Sequence, residues 1–126
     1  MKSKKIVIGI AAVALLALMI SNVYAHCGCH PGLSPGYWKH NVKVYNGGPG
    51  AYSAPFEDHP HETSESMLGY ADVILGPEDQ TLEQENAYLV WANGIFQSKD
   101  PLVRAGWLDL ANAFNAAAGY NPYVGD

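Results

Sequence analysis

Hydrophobic and polar positions change rhythm three times along this chain. Residues 6–20 form an almost unbroken aliphatic run behind Lys2, Lys4 and Lys5, and Ser21-Asn22-Val23-Tyr24-Ala25 follows. A basic start, an apolar middle and a small-residue exit before His26 have the form of a secretory leader cut after Ala25. The 15-residue run is short for a membrane span, which needs about 20 residues. The expected divisions are therefore a signal peptide over 1–25, an irregular arm over 26–62 and a helical core over 63–126.

From His26 to Glu62 the glycines and prolines interrupt any regular period. Tyr37, Trp38, Val42, Val44, Tyr45, Tyr52 and Phe56 nevertheless carry too much apolar area for a solvated tail. The pattern predicts an aromatic-pinned arm wrapped over a helical base. Within it, the alternation in residues 38–45 favours a short strand over a short helix.

The remainder reads as helices. Thr63 or Ser64 caps a helix to about Leu75, with Met67, Leu68, Ala71 and Ile74 or Leu75 on one face, stopped by Gly76-Pro77. Thr81-Leu82-Glu83-Gln84 is a capping box that opens a second helix, expected to end near Asn93 with Gly94 as its stop. Asp100-Pro101 opens a third, on which Val103, Gly106 or Trp107, Leu110, Ala113 or Phe114, and Ala117 recur at helical spacing before Gly119. At 1.5 Å per residue it would span roughly 27 Å. The fold class is all-α, with about three amphipathic helices and the long arm.

Charge then narrows the function. After cleavage the chain keeps four basic residues (Lys39, Lys43, Lys99 and Arg104) against twelve acidic ones, a net charge of −8 with His neutral. Such a chain lacks the basic face that nucleic acid requires and gains nothing from anionic lipid. Arg104 is expected to pair with Asp100 or Asp109. Glu78, Asp79, Glu83 and Glu85 mark helix starts and solvated faces, without an Asp-x-Asp-x-Asp-Gly calcium loop.

Pro35-Gly36-Tyr37-Trp38-Lys39-His40-Asn41 resembles a "PGYWK-N/H-H" motif near the start of small modules in secreted bacterial and archaeal proteins. In those modules a helix beginning Thr-Leu and a late "Arg…Ala-x-x-Leu-Asn-Ala-Ala" helix follow. Thr81-Leu82 and Arg104…Leu110-Ala111-Asn112-Ala113-Phe114-Asn115-Ala116-Ala117 stand in the matching places. The resemblance implies one domain and secretion, with no catalytic residues. The common order Lys-Asn-His is Lys39-His40-Asn41 here, so a role tied to the His position does not carry over.

Candidate chemistry collects before residue 62. Cleavage after Ala25 would expose His26-Cys27-Gly28-Cys29-His30, which joins an α-amine, two imidazoles and two thiols. Outside the cell the first reading is oxidation: Cys27 and Cys29 pair in a strained ring or, more usefully, cross-link two chains. The second is zinc or copper held by His26, Cys27, Cys29 and His30, with His40, His59 or His61 joining from the arm. Covalent haem is disfavoured, because the Cys-x-x-Cys-His attachment motif is one residue short. Tyr37, Trp38 and Lys39 are candidate interaction residues, although aromatics of this kind more often pack an irregular arm.

No phosphate loop or His-Glu-x-x-His is present, and nothing fixes Ser34 or Ser53 in a triad. The sequence thus describes a secreted or cell-surface, non-enzymatic module that self-associates or binds another extracellular protein. The alternative is an extracytoplasmic metal-binding protein using the same terminus. No membrane span is expected once the leader is gone.

Overall fold

A computed structural model describes residues 31–55 and 60–124. The described residues are all-helical, with no strand among them. Helix α1 is Pro35–Tyr45, α2 is Ser64–Leu75 and α3 is Leu82–Gln97, followed by the single turn α4, Pro101–Arg104, and by α5, Trp107–Ala118.

Helix α1 corrects the strand expected for residues 38–45. Ser34 caps it by accepting from Tyr37 N at 3.3 Å, and Pro35 stands in the first turn, where its missing N–H is harmless. Trp38, Asn41 and Val42 then fall on one buried face at spacings of three and four, which the alternation of Val42 and Val44 disguises. The helix ends at Asn46, whose side chain donates to Val42 O at 2.8 Å and Leu89 O at 3.1 Å, tying the turn to α3.

The other boundaries follow their caps. Thr63 and Ser66 make reciprocal bonds at the start of α2, as do Thr81 and Gln84 at α3. Gly76 stops α2 at φ 152° and ψ 177°, a region essentially reserved for glycine. Two expectations change. Gly94 does not stop α3, which continues to Gln97 and buries Phe96 completely. The third predicted helix divides at Ala105 and Gly106: Gly106 N turns to Val103 O, and α5 restarts from Gly106 O.

Helix α5 is the centre of the molecule. Every residue from Leu110 to Ala116 is buried, so it is enclosed on all sides and not merely amphipathic. Helices α1, α2 and α3 pack against it and against one another. Trp38 stacks on Phe114 with ring centroids 5.2 Å apart and meets Tyr70 edge-on at 5.5 Å, placing the largest aromatic at the crossing of α1, α2 and α5. None of the helices in the described residues is long and apolar enough to cross a membrane.

Two glycines inside helices have no such reason to be there. A Cβ added at Gly69 or Gly94 would meet nothing within 4 Å. Gly69→Ala and Gly94→Ala should each raise stability by about 0.5–1 kcal/mol, through lower backbone entropy in the unfolded chain. Chemical denaturation monitored by circular dichroism checks this, and a loss of stability in either variant would contradict it.

Candidate functional site

The described domain concentrates its polar chemistry at three points. The first is Glu62, which immediately precedes the Thr63 cap and is fully buried. Its Oε2 accepts from Tyr37 Oη at 2.5 Å, and its Oε1 accepts from Ser66 Oγ at 2.8 Å and Tyr70 Oη at 2.9 Å. Its backbone N–H donates to Ser53 O at 3.1 Å. A carboxylate withdrawn from water is tolerable only with several donors, and α1 and α2 supply them.

The surrounding tyrosines answer to that charge. Burial first, then the hydrogen bond and negative charge of Glu62, push the Tyr37 phenol far above its ordinary value. Tyr70 moves up through burial and then Glu62, while its hydrogen bond to Ser66 opposes the shift. Burial, with a smaller contribution from Glu62, pushes Tyr120 up to about 12. Tyr88, whose buried hydroxyl has no hydrogen-bond partner among the described residues, is raised by burial alone.

These raised values fix a sign. The folded state holds these phenolic protons more tightly than the unfolded chain, whose tyrosines ionise near 10. Their contribution is therefore complete below pH 10 and is lost as the pH climbs toward the folded values. Stability from these groups should stay level up to about pH 9 and fall steeply above about pH 10. Urea midpoints across that range test this, and a flat profile to pH 11 would contradict it.

The second point is a pair of asparagines on α5. Asn115 accepts from Leu33 N at 2.9 Å and Trp38 Nε1 at 3.0 Å, and donates to Leu33 O and Asn112 Oδ1, both at 2.9 Å. Asn112 accepts from Tyr123 N at 2.7 Å and donates to Tyr123 O at 3.2 Å. The segments before α1 and after α5 are thus read by adjacent amides as if each were a paired strand. They touch each other as well: a Cβ at Gly32 would lie 2.3 Å from Asn121 O and 2.4 Å from Tyr123 N, so no larger residue fits. Asn41 plays the same part for the loop after α1. It donates to Ser53 Oγ at 3.0 Å and accepts from Ser53 N at 3.0 Å.

The third point is Trp107. Lys39 Nζ lies 4.7 Å and Arg104 Cζ 5.0 Å from the centre of its indole ring, whose N–H donates to Ile95 O at 2.7 Å. Arg104 does not pair with Asp100 or Asp109 as expected. Asp100 instead caps α4 through Leu102 N at 2.9 Å.

Against this geometry the expected site residues separate. His26, Cys27, Cys29, His30 and His59 lie outside the described residues, so the proposed disulfide and most of the proposed metal set do too. His40 is exposed, and its Nε2 is 2.7 Å from Ala51 O; His61 is also exposed. Among the described residues, no three His, Cys, Asp or Glu side chains are grouped to hold a metal ion. Trp38 is corrected as an interaction residue, because it is wholly buried against Phe114 and Asn115. Tyr37 is half-buried with its hydroxyl on Glu62, and Lys39 sets its ammonium over the Trp107 ring.

Glu62, Asn112, Asn115 and the Lys39–Trp107–Arg104 group were not anticipated. The asparagines carried a signal, since two polar residues three apart lie among the apolar positions of α5. The motif Pro35–Asn41 now has a physical meaning: Pro35 starts the helix, Tyr37 binds Glu62, Trp38 fills the core, Lys39 reaches Trp107, His40 meets Ala51, and Asn41 holds Ser53. Comparison with protein-family models, curated proteins and solved structures gave no match, so the motif's resemblance to secreted modules rests on its own residues.

Proposed function

We propose that this chain is an exported, non-enzymatic helical module of the cell surface or extracellular space, which works by assembly through Cys27 and Cys29. The observation that carries the reading is how the domain spends its reactive side chains. The Glu62 carboxylate is enclosed by hydroxyls, the Asn41, Asn112 and Asn115 amides bind the domain's own backbone, and His40 is turned to a carbonyl. These groups are engaged in holding the fold together, which supports a structural role over a catalytic one. The clamp joining Leu33 and Tyr123 brings the two ends of the domain together, and the Cys27–Cys29 segment is attached three residues before Gly32. A compact module preceded closely in sequence by two cysteines suits cross-linking outside the cell.

Intact mass of the exported protein under non-denaturing conditions, with and without reductant, tests this. The expected result is a chain starting at His26, present as a disulfide-linked multimer that falls to one chain on reduction. A retained leader, or single chains with both thiols free, would overturn it. A single chain carrying zinc or copper would replace cross-linking with coordination by His26, Cys27, Cys29 and His30.

A further inference from the structure

We propose that copies of this domain also dock head to tail, the Lys39–Arg104 pair over Trp107 on one copy meeting the Asp72–Glu85 edge of the next. This deepens the assembly reading and rests on it. Two of the four cations outside the leader converge on one indole, which places the charged groups less than about 10 Å apart. Among the described residues neither makes an ion pair, although nine carboxylates are available. Arg104 is exposed and its guanidinium retains its planar set of donors for a carboxylate.

The complementary surplus lies at the other end of α3. Glu85, in the first turn of α3, feels the charges of Asp72 and Asp79, and Glu78 and Glu83 are exposed within a few residues of it in sequence. Partial loss of solvent, then the like charges of Asp72 and Asp79, hold Glu85 above its ordinary value. Trp107 is fixed to Ile95 in the last turns of α3, about 15 Å along the axis from Glu85. The two patches of one molecule are thus set apart along α3, and two copies in line bring them together. Acids at a helix start and bases near a helix end also suit the helix dipole, but that does not require Lys39 of α1 and Arg104 of α4 to share one ring. The contact joins unlike faces, so it propagates from copy to copy as a ring or an open chain.

Sedimentation velocity on the exported protein carrying Cys27→Ser and Cys29→Ser isolates this contact from disulfides. Association should appear at about 20 mM salt and disperse at about 300 mM, where screening shortens to a few ångströms. Arg104→Glu and Glu85→Arg should each weaken self-association about ten-fold or more, and mixing the two variants should restore a one-to-one dimer through the surviving pole of each. Both positions lie at the surface, and matching melting curves would confirm folding. Monomer at low salt, parental association in either variant, or failure of the mixture to pair would overturn the proposal. So would a response that followed net charge alone, with Glu85→Arg associating more tightly. Arg104-dependent binding of an acidic polysaccharide without self-association would reassign the cation pair and overturn it too. Disulfide multimers of the parent chain persisting without charge-driven docking would leave the assembly reading intact; loss of both would remove the two together.

Discussion

Asn115→Leu should lower the unfolding free energy by roughly 3–5 kcal/mol and release both ends of the domain. Asn115 is fully buried, and its amide fills all four of its hydrogen-bonding positions. Leucine keeps the branched shape, adds bulk, and leaves the Leu33 N–H and C=O and the Trp38 indole N–H without partners. The indole has no access to water, whereas the Leu33 groups are half-buried and recover some hydration, which keeps the sum below the full desolvation cost of three groups. Asn115→Asp tests the same point by chemistry. It retains the acceptor for Leu33 N and Trp38 Nε1 but sets a carboxylate against Leu33 O and Asn112 Oδ1. That group's pKa would rise in the folded state, so the deficit should be greatest at neutral pH and shrink in acid. Urea denaturation gives the energies, and hydrogen exchange at the Leu33 and Tyr123 amides reports the clamp. Unchanged exchange at both amides in Asn115→Leu would show that Asn115 does not hold the ends together.

The parts of the fold legible in the sequence are those specified by near neighbours. Thr63 with Ser66, Thr81 with Gln84, Asp100 before Pro101, and Gly119 at φ 84° each act within a few residues, and each stands at a helix boundary. Gly94 shows where a local signal yields: Phe96 lies beyond it, and burying that ring outweighs a glycine penalty of about 1 kcal/mol. Helix α1 was hidden because its face is completed by Asn41, which counts as polar in any pattern yet is buried on Ser53. The candidate site was harder still. Glu62 follows two histidines that draw attention as ligands, but its partners Tyr37 and Tyr70 stand 25 and 8 residues away, a relation only the packing of α1 on α2 creates. Lys39, Arg104 and Trp107 likewise come from three separate helices.

Glu62→Leu and Glu62→Gln should differ sharply, and the difference tells what the buried carboxylate contributes. Leucine leaves the hydroxyls of Tyr37, Tyr70 and Ser66 facing an apolar group, a loss of roughly 3–5 kcal/mol. Glutamine keeps one acceptor, and its NH2 can donate to hydroxyls that rotate to receive it, so about 1 kcal/mol is expected. The pH dependence separates charge from shape. Glu62 raises Tyr37, Tyr70 and Tyr120 by charge, and Tyr37 and Tyr70 by hydrogen bonding as well, but it does not contribute to Tyr88. In Glu62→Gln the folded-state values of the first three should move down toward 10, so the folded chain gives up those protons sooner. Less stability is then left to lose, and the deficit of Glu62→Gln relative to the parent should narrow as the pH approaches the Tyr120 value of about 12. Tyr88→Phe in each background supplies the control, since burial alone sets that phenol. A gap of constant size through the alkaline range, measured by urea denaturation with tyrosinate absorbance followed in parallel, would mean that the carboxylate holds the tyrosines by shape and not by charge.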